Sequence, residues 1–132
     1  MKIVVLDDSP TILMFIESYL EELGVDEREV FTFESGFEAL QFIKRQGADI
    51  VFSDINMPKM SGYDFARKLF IMKPKLRSSF FAISGDENRE SYLRMKRNGA
   101  RRFIKKPINI EHFNHFVAPE IMKRRNLEQL LY

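Results

Sequence analysis

Five polar residues sit at the ends of short apolar runs: Asp7 and Asp8 after residues 2–6, Asp54 after 50–53, Ser84 closing 79–84, and Lys106 after 102–105. Any one of them alone is an ordinary polar end to a buried strand. Together they offer three carboxylates, a hydroxyl and an ammonium. Carboxylates held near one another repel, which raises a pKa or destabilises the fold unless a cation shares the site. The chain has no cysteine, so a thiolate site is excluded. Oxygen donors with room for water suit Mg2+, with Mn2+ able to stand in its place, better than Zn2+ or a fully protein-caged Ca2+. A hard cation beside a lysine and a hydroxyl handles anions, and a phosphoryl group is the obvious one. A carboxylate in such a site serves as ligand or as nucleophile, the latter giving an aspartyl phosphate.

These residues can meet only if the elements carrying them share an edge. Residues 2–6 (KIVVL) read as a strand, and Ser9 and Pro10 supply an N-cap and a first helical residue. Ile12, Ile16, Tyr19 and Leu23 then recur at helical spacing up to Gly24. Residues 30–33 form a second strand. Ser35-Gly36-Phe37-Glu38 is a capping box opening a helix with Leu40 and Ile43 facing inward, which Gly47 stops. A third strand covers 50–53, a helix runs over 62–72 until Pro74, and 79–84 is the fourth strand. Asp86 or Glu87 begins a helix through Tyr92 and Met95 to Gly99, residues 102–105 are strand five, and Asn109 caps a last helix that Pro119 should end. Five uniformly apolar strands alternating with five helices predict an α/β fold, a parallel sheet covered on both faces. Right-handed crossovers make it doubly wound, with its binding crevice outside the carboxyl ends of the strands. All five polar residues fall there.

The size and balance of the chain, 132 residues with 45% hydrophobic and 30% charged, predict one domain with one core. The opening MKIVVLDDSP carries charge too early for a secretory signal, and no apolar run approaches the length needed to cross a bilayer. A soluble cytoplasmic protein, without membrane insertion, is expected. Net charge is only +2, but residues 1–50 hold 11 acidic and 4 basic side chains whereas 91–125 hold 2 and 10. Such asymmetry marks either a nucleic-acid or acidic-partner surface or solvated helix faces.

Asp7-Asp8 after strand one, the run Asp54-Ile55-Asn56-Met57-Pro58-Lys59-Met60-Ser61-Gly62, Ser84 ending strand four and Lys106-Pro107 after strand five together resemble the receiver domain of bacterial two-component response regulators. The likeness is to the chemotaxis-regulator type and covers residues 1–118, leaving 119–132 as a C-terminal tail or linker, helical or not, that packs on the domain, binds a partner or links to a longer chain. It implies a flavodoxin-like doubly wound five-stranded parallel sheet in the order 2-1-3-4-5. It implies that Asp54 takes a phosphoryl group from the phosphohistidine of a sensor histidine kinase or phosphotransfer protein. Asp8 and Asp54 would then bind Mg2+ directly, Asp7 directly or through water, and the backbone carbonyl of Asn56 would complete the protein ligands. Lys106 would pair with the phosphoryl oxygens or, before transfer, with Asp54. Ser84 would donate its hydroxyl to the new phosphoryl oxygen. Phe103 falls at the family's aromatic switch position, lacking the phenol hydroxyl of a tyrosine. Asn56 and Asp86 fall where the family tunes the lifetime of the acyl phosphate. The bond before Pro107 is cis at the matching family position, although sequence alone favours trans. Met57-Pro58 and Gly62 are expected to shape the loop over the pocket.

The resemblance also places an output surface on the fourth helix, fifth strand and fifth helix. Arg94, Arg97, Arg101, Arg102, Phe103 and Lys105 fall in that region, where a downstream protein partner, an effector domain or a second copy would dock. The segment EIMKRRNLEQLLY is too short for an effector domain, and Leu127, Leu130 and Leu131 lie on one helix face. His112 and His115 share a helix face without a third ligand in reach, so no metal pair is expected there. Two alternatives remain: a Mg2+-dependent phosphohydrolase using an aspartyl phosphate, and a nucleic-acid binder using the basic region. The first usually wants a second aspartate where this chain has Asn56. The second predicts steeply salt-dependent binding, and the tail cannot form a helix-turn-helix domain.

Overall fold

Each short apolar run becomes a strand, and each stretch of helical spacing packs across it. A computed structural model of the chain describes residues 1–85 and 89–131. The strands are β1 (Ile3–Leu6), β2 (Val30–Phe33), β3 (Ile50–Asp54), β4 (Phe80–Ser84) and β5 (Arg102–Lys105). The helices are α1 (Pro10–Glu22), α2 (Gly36–Gln46), α3 (Gly62–Met72), α4 (Arg89–Arg97) and α5 (Ile110–Leu131). All pairings are parallel and the order is β2-β1-β3-β4-β5, as expected. Two short 3-10 turns, Glu27–Glu29 and Pro74–Ser79, lead into β2 and β4. The latter ends at Ser79, so β4 begins one residue later than the sequence predicts.

Alternation along buried strands feeds two cores. Val4, Leu6, Val51 and Ala82 join Ala39, Phe65, Leu69 and Met95 on the side covered by α2, α3 and α4. Ile3, Val5, Phe52 and Ile83 join Ile16, Leu20, Phe113 and Val117 on the side of α1 and α5. Phe52 stacks between Phe81, with ring centroids at 5.0 Å, and Phe113, at 5.6 Å, an offset aromatic packing that adds to the burial of the rings themselves. The sheet is thereby buried on both faces, and β3 is fully enclosed.

The expected caps are largely present. The Ser9 hydroxyl accepts from the Ile12 amide at 3.4 Å, and Asn109 Oδ1 accepts from the Glu111 amide at 2.9 Å and the His112 amide at 3.3 Å. Ser35 Oγ accepts from the Glu38 amide at 3.4 Å, which is the serine half of the expected capping box. The predicted start of the fourth helix, at Asp86 or Glu87, lies outside the described residues.

One boundary is corrected. Proline removes an N–H and crowds the preceding turn, yet α5 continues through Pro119 to Leu131. Tertiary contacts hold the far half in place. Glu120, only 4% exposed, receives Ser79 Oγ at 3.0 Å and Arg102 Nη1 at 3.0 Å, and Arg124 Nη2 donates to Ser79 Oγ at 2.6 Å. Ile121 is buried in the α1–α5 core, and Arg125 grips Glu29 through two bonds of 2.8 and 2.7 Å. Residues 119–131 are therefore the last turns of α5, laid against the sheet, while Leu127 and Leu130 remain exposed.

Candidate functional site

The register of the sheet aligns the strand ends. Leu6 lies opposite Ser53, Asp54 opposite Ile83, and Ser84 opposite Lys105. Backbone pairing continues one step beyond each strand. The Asp7 amide donates to the Phe33 carbonyl at 3.1 Å, Ile55 to Ile83 at 3.1 Å, and Lys106 to Ser84 at 2.7 Å. The residues that carry the chemistry thus stand on hydrogen-bonded backbone, the kind of support that holds reacting groups in place.

Asp7 and Asp54 are buried and Asp8 is exposed, with one oxygen from each of the three carboxylates within 4.8 Å of the others. Lys106 Nζ reaches in at 3.2 Å from Asp7 Oδ2 and 3.5 Å from Asp54 Oδ1. Asp7 Oδ1 accepts from the Ser9 amide at 2.9 Å, but Oδ2 has no directed hydrogen-bond donor despite the nearby ammonium. Burial pushes the Asp54 carboxyl up to about 6, reinforced by repulsion from Asp7 and, more weakly, Asp8, and opposed by Lys106 and by the Asn56 amide at 3.4 Å. Burial also raises the Asp7 carboxyl, against the pull of the Ser9 amide and Lys106. One lysine does not neutralise three acids. Three carboxylates sharing one lysine, all hard oxygen donors, fit a divalent cation such as Mg2+ better than Zn2+, which favours nitrogen or sulfur ligands.

The remaining predicted residues divide. Ser84 closes β4 half-buried, its carbonyl taking the Lys106 amide. Asn56 is exposed with its amide aimed at Asp54, and Asp86 lies outside the described residues. Phe103 is half-buried against the α2–α4 core, its ring centroid 4.4 Å from that of Tyr92 on α4. The Lys106–Pro107 peptide is cis. Of the basic residues, Arg101 and Lys105 are exposed, but Arg94 turns toward α3, with its guanidinium 3.9 Å from the centroid of the Tyr63 ring. Arg102 points the other way, to Glu120, and so belongs to no free basic face. His112 and His115 both stand edge-on to Phe116, at 5.2 and 5.0 Å. Among the described residues the three aspartates form the single cluster suited to a metal.

Gly62 matters for a different reason from the one its sequence suggested. Its φ is not positive; the constraint is space. A Cβ there would lie 2.1 Å from the Asp54 carbonyl oxygen, 2.5 Å from Ile55 Cα and 2.8 Å from the Ile55 carbonyl oxygen, and the Gly62 amide donates to that last oxygen at 2.8 Å. The first turn of α3 is seated directly on the backbone that carries Asp54. The left-handed residue of this loop is Lys59, at φ 67°, which nothing in the sequence pointed to. Sequence reasoning also missed the Ser79–Glu120–Arg102–Arg124 cluster. A glutamate within a basic run facing a serine before a strand was its only local signal.

Comparison with known proteins agrees with this geometry. The sequence model of the response regulator receiver domain matches residues 3–118. An uncharacterized response regulatory protein of Vibrio cholerae is 38% identical over 84 residues, which is 64% of this chain and 32% of that protein. A two-component response regulator of Arabidopsis thaliana is 28% identical over 126 residues, 96% of this chain but 18% of the relative. The chain thus spans a third or less of these relatives. A chemotaxis protein of the CheY type from Rhizobium etli, 26% identical, is matched over 83% of this chain and 84% of its own length. Among solved structures, a response regulator receiver domain protein from Clostridium thermocellum superposes with a TM-score of 0.77 at 28% identity, covering 99% of this chain and 98% of that one.

Proposed function

The chain belongs to the response regulator receiver domain family, and from that premise we propose that it is a signalling switch thrown by phosphorylation of Asp54. The donor is a phosphohistidine on a sensor histidine kinase or a phosphotransfer protein. An Asp54 carboxylate oxygen attacks phosphorus, the P–N bond breaks, and its electron pair stays on the imidazole nitrogen, which takes up a proton; the new P–O bond makes an acyl phosphate. Hydrolysis by water returns the carboxylate and releases inorganic phosphate. With its pKa near 6, Asp54 is mostly ionised at neutral pH and so available as a nucleophile.

The chain's own residues divide the work. Lys106, already within 3.5 Å of Asp54, follows the added charge and pairs with the phosphoryl oxygens. Ser84 donates its hydroxyl to one of those oxygens. Mg2+, or Mn2+ in its place, would be held by Asp7, Asp8, Asp54 and the Asn56 carbonyl and supplies charge neutralisation for the transferring group. Asn56 and Asp86 bear on how long the acyl phosphate lasts. An amide at residue 56 cannot serve as an acid, which disfavours a phosphohydrolase with turnover of an external substrate. Phe103, packed against Tyr92, is the two-state element. Phosphate shifts it by binding one arrangement better than the other, and the change reaches a downstream protein, an effector domain or a second copy through α4, β5 and α5, at Arg94, Arg97, Arg101, Phe103 and Lys105. No helix among the described residues is long and apolar enough to cross a membrane, and the switch is proposed to act in the cytoplasm.

The observation that carries this reading is the Lys106 ammonium lodged between Asp7 and Asp54 in the three-carboxylate cluster. The test is intact mass after incubation with Mg2+ and a small-molecule acyl phosphate. A gain of one phosphoryl group that requires Mg2+ and vanishes in Asp54→Asn is expected. A gain that survives in Asp54→Asn refutes the assignment.

A further inference from the structure

Beyond the phosphorylation site, a groove of about 220 Å³ opens between α3 and α4, lined by Tyr63, Asp64, Arg67, Arg94, Arg97 and Asn98. It is built rather than incidental. Asn98 Nδ2 donates to the Tyr63 carbonyl at 3.1 Å, tying the end of α4 to the start of α3, and the Arg94 guanidinium carbon lies 3.9 Å from the centre of the Tyr63 ring. The arginines here are also free to pair. Arg28, Arg102, Arg124 and Arg125 are each held by a carboxylate at 3.4 Å or less, whereas none pairs with Arg67, Arg94 or Arg97 among the described residues. The one acid in the groove, Asp64, has an oxygen occupied by the Ser61 hydroxyl at 3.0 Å.

We propose that this α3–α4 groove is a docking site for a carboxylate-rich segment of a protein partner. Arginine offers a planar fork that binds a carboxylate through two hydrogen bonds, and a guanidinium already seated against a tyrosine ring loses little freedom on doing so. Arginine and tyrosine are also the residues that most often anchor interfaces. The groove has room for one or two acidic side chains. A nucleic acid would need a longer track of cations than the three arginines that line this groove. Because α4 also carries Tyr92 against Phe103, phosphorylation would alter the groove; that coupling rests on the proposed function, while the binding itself does not.

The test is fluorescence anisotropy of a short fluorescein-labelled polyglutamate peptide with the full, unphosphorylated chain, alongside its polyglutamine counterpart and a labelled DNA duplex. The glutamate peptide binds, the glutamine peptide does not, and Arg94→Glu and Arg97→Glu each weaken binding by about tenfold or more, as loss of a charge-assisted bond requires. Arg45→Glu, the same charge change at an exposed position on α2, leaves it within about twofold, since screened charges at a distance contribute little. Asp54→Asn binds like the unaltered chain, so failure of the phosphorylation reading and failure of this one are separate results. No binding of the glutamate peptide, an equal loss in Arg45→Glu, or tighter binding of the duplex with the same arginine dependence would overturn the proposal.

Discussion

Replacing Asp54 with asparagine removes a charge that the folded chain is ill placed to hold, and in metal-free solution the substitution is expected to stabilise the protein. The sign follows from linkage. A carboxyl whose folded pKa lies above its unfolded value costs the folded state nothing below both values; the cost grows as pH rises between them and is constant above. Asp54 rises from 3.8 to about 6, so the cost builds through that window. At about 1.36 kcal/mol per unit the limit is about 3 kcal/mol. The attraction of Lys106 is already inside that net shift, and the lysine keeps Asp7 at 3.2 Å when Asp54 loses its charge. The amide of the new side chain preserves shape and can still accept from the Asn56 amide. A gain of about 2 kcal/mol at pH 7.5 in EDTA corresponds to about 6–8 °C in melting temperature for a chain of this size. Thermal unfolding of both proteins across pH 3.5 to 7.5 measures it. The two should melt together at pH 3.5, where both side chains are neutral, and Mg2+ should raise the unaltered protein more than the variant, which has lost a ligand. If the asparagine protein melts at or below the other at pH 7.5 in EDTA, the electrostatic account of the cluster is wrong.

Two further substitutions probe what surrounds the site. Gly62→Ala drives a Cβ into the Asp54 and Ile55 backbone, which no rotamer relieves; urea unfolding should show a loss at the upper end of the overpacking range, about 3 kcal/mol, together with slower phosphorylation by an acyl phosphate. Glu120→Ala leaves Ser79 buried and two guanidiniums without their carboxylate. Because Arg102 is 35% and Arg124 27% exposed and both can turn to water, the expected loss is about 2–3 kcal/mol rather than the full cost of orphaning a buried charge. Combined with Arg102→Ala, it should cost less than the sum of the two, and additive losses would mean that the pair is not coupled.

What was legible in the sequence is what local chemistry punctuates. The strands showed as apolar runs because both faces of the sheet are covered, and the caps at Ser9, Ser35 and Asn109 showed because a short polar side chain before a helix has one common use. The site showed because parallel strands must bring their carboxyl ends to one edge, so Asp7, Asp54 and Lys106 could be placed together without knowing any contact. Orientation was not legible in the same way. Arg94, Arg97 and Arg102 read as one basic face, but Arg94 lies against the Tyr63 ring of α3 and Arg102 pairs with Glu120 on α5. Helical and strand periods say which side of an element a residue occupies, and not which neighbour its long side chain will find.

Pro119 makes the same distinction in energetic terms. As a local signal it is strong, since a proline inside a helix costs about 3 kcal/mol, and a sequence reading that stops the helix there is following the larger of the terms it can see. The opposing terms are all non-local. Burying Ile121 contributes about 1.5–3 kcal/mol, and the hydrogen bonds to the Glu120 carboxylate contribute about 1.5–3 kcal/mol each where an ion takes part. Their partners, Ser79 and Arg102, lie 41 and 18 residues away. Any two of these contributions match the cost of the proline. The helix therefore runs on because of where the chain has already folded, and Arg102 is the residue that joins the two ends of the domain's logic. It immediately precedes Phe103 on β5 and donates to Glu120 in the turn of α5 beyond Pro119.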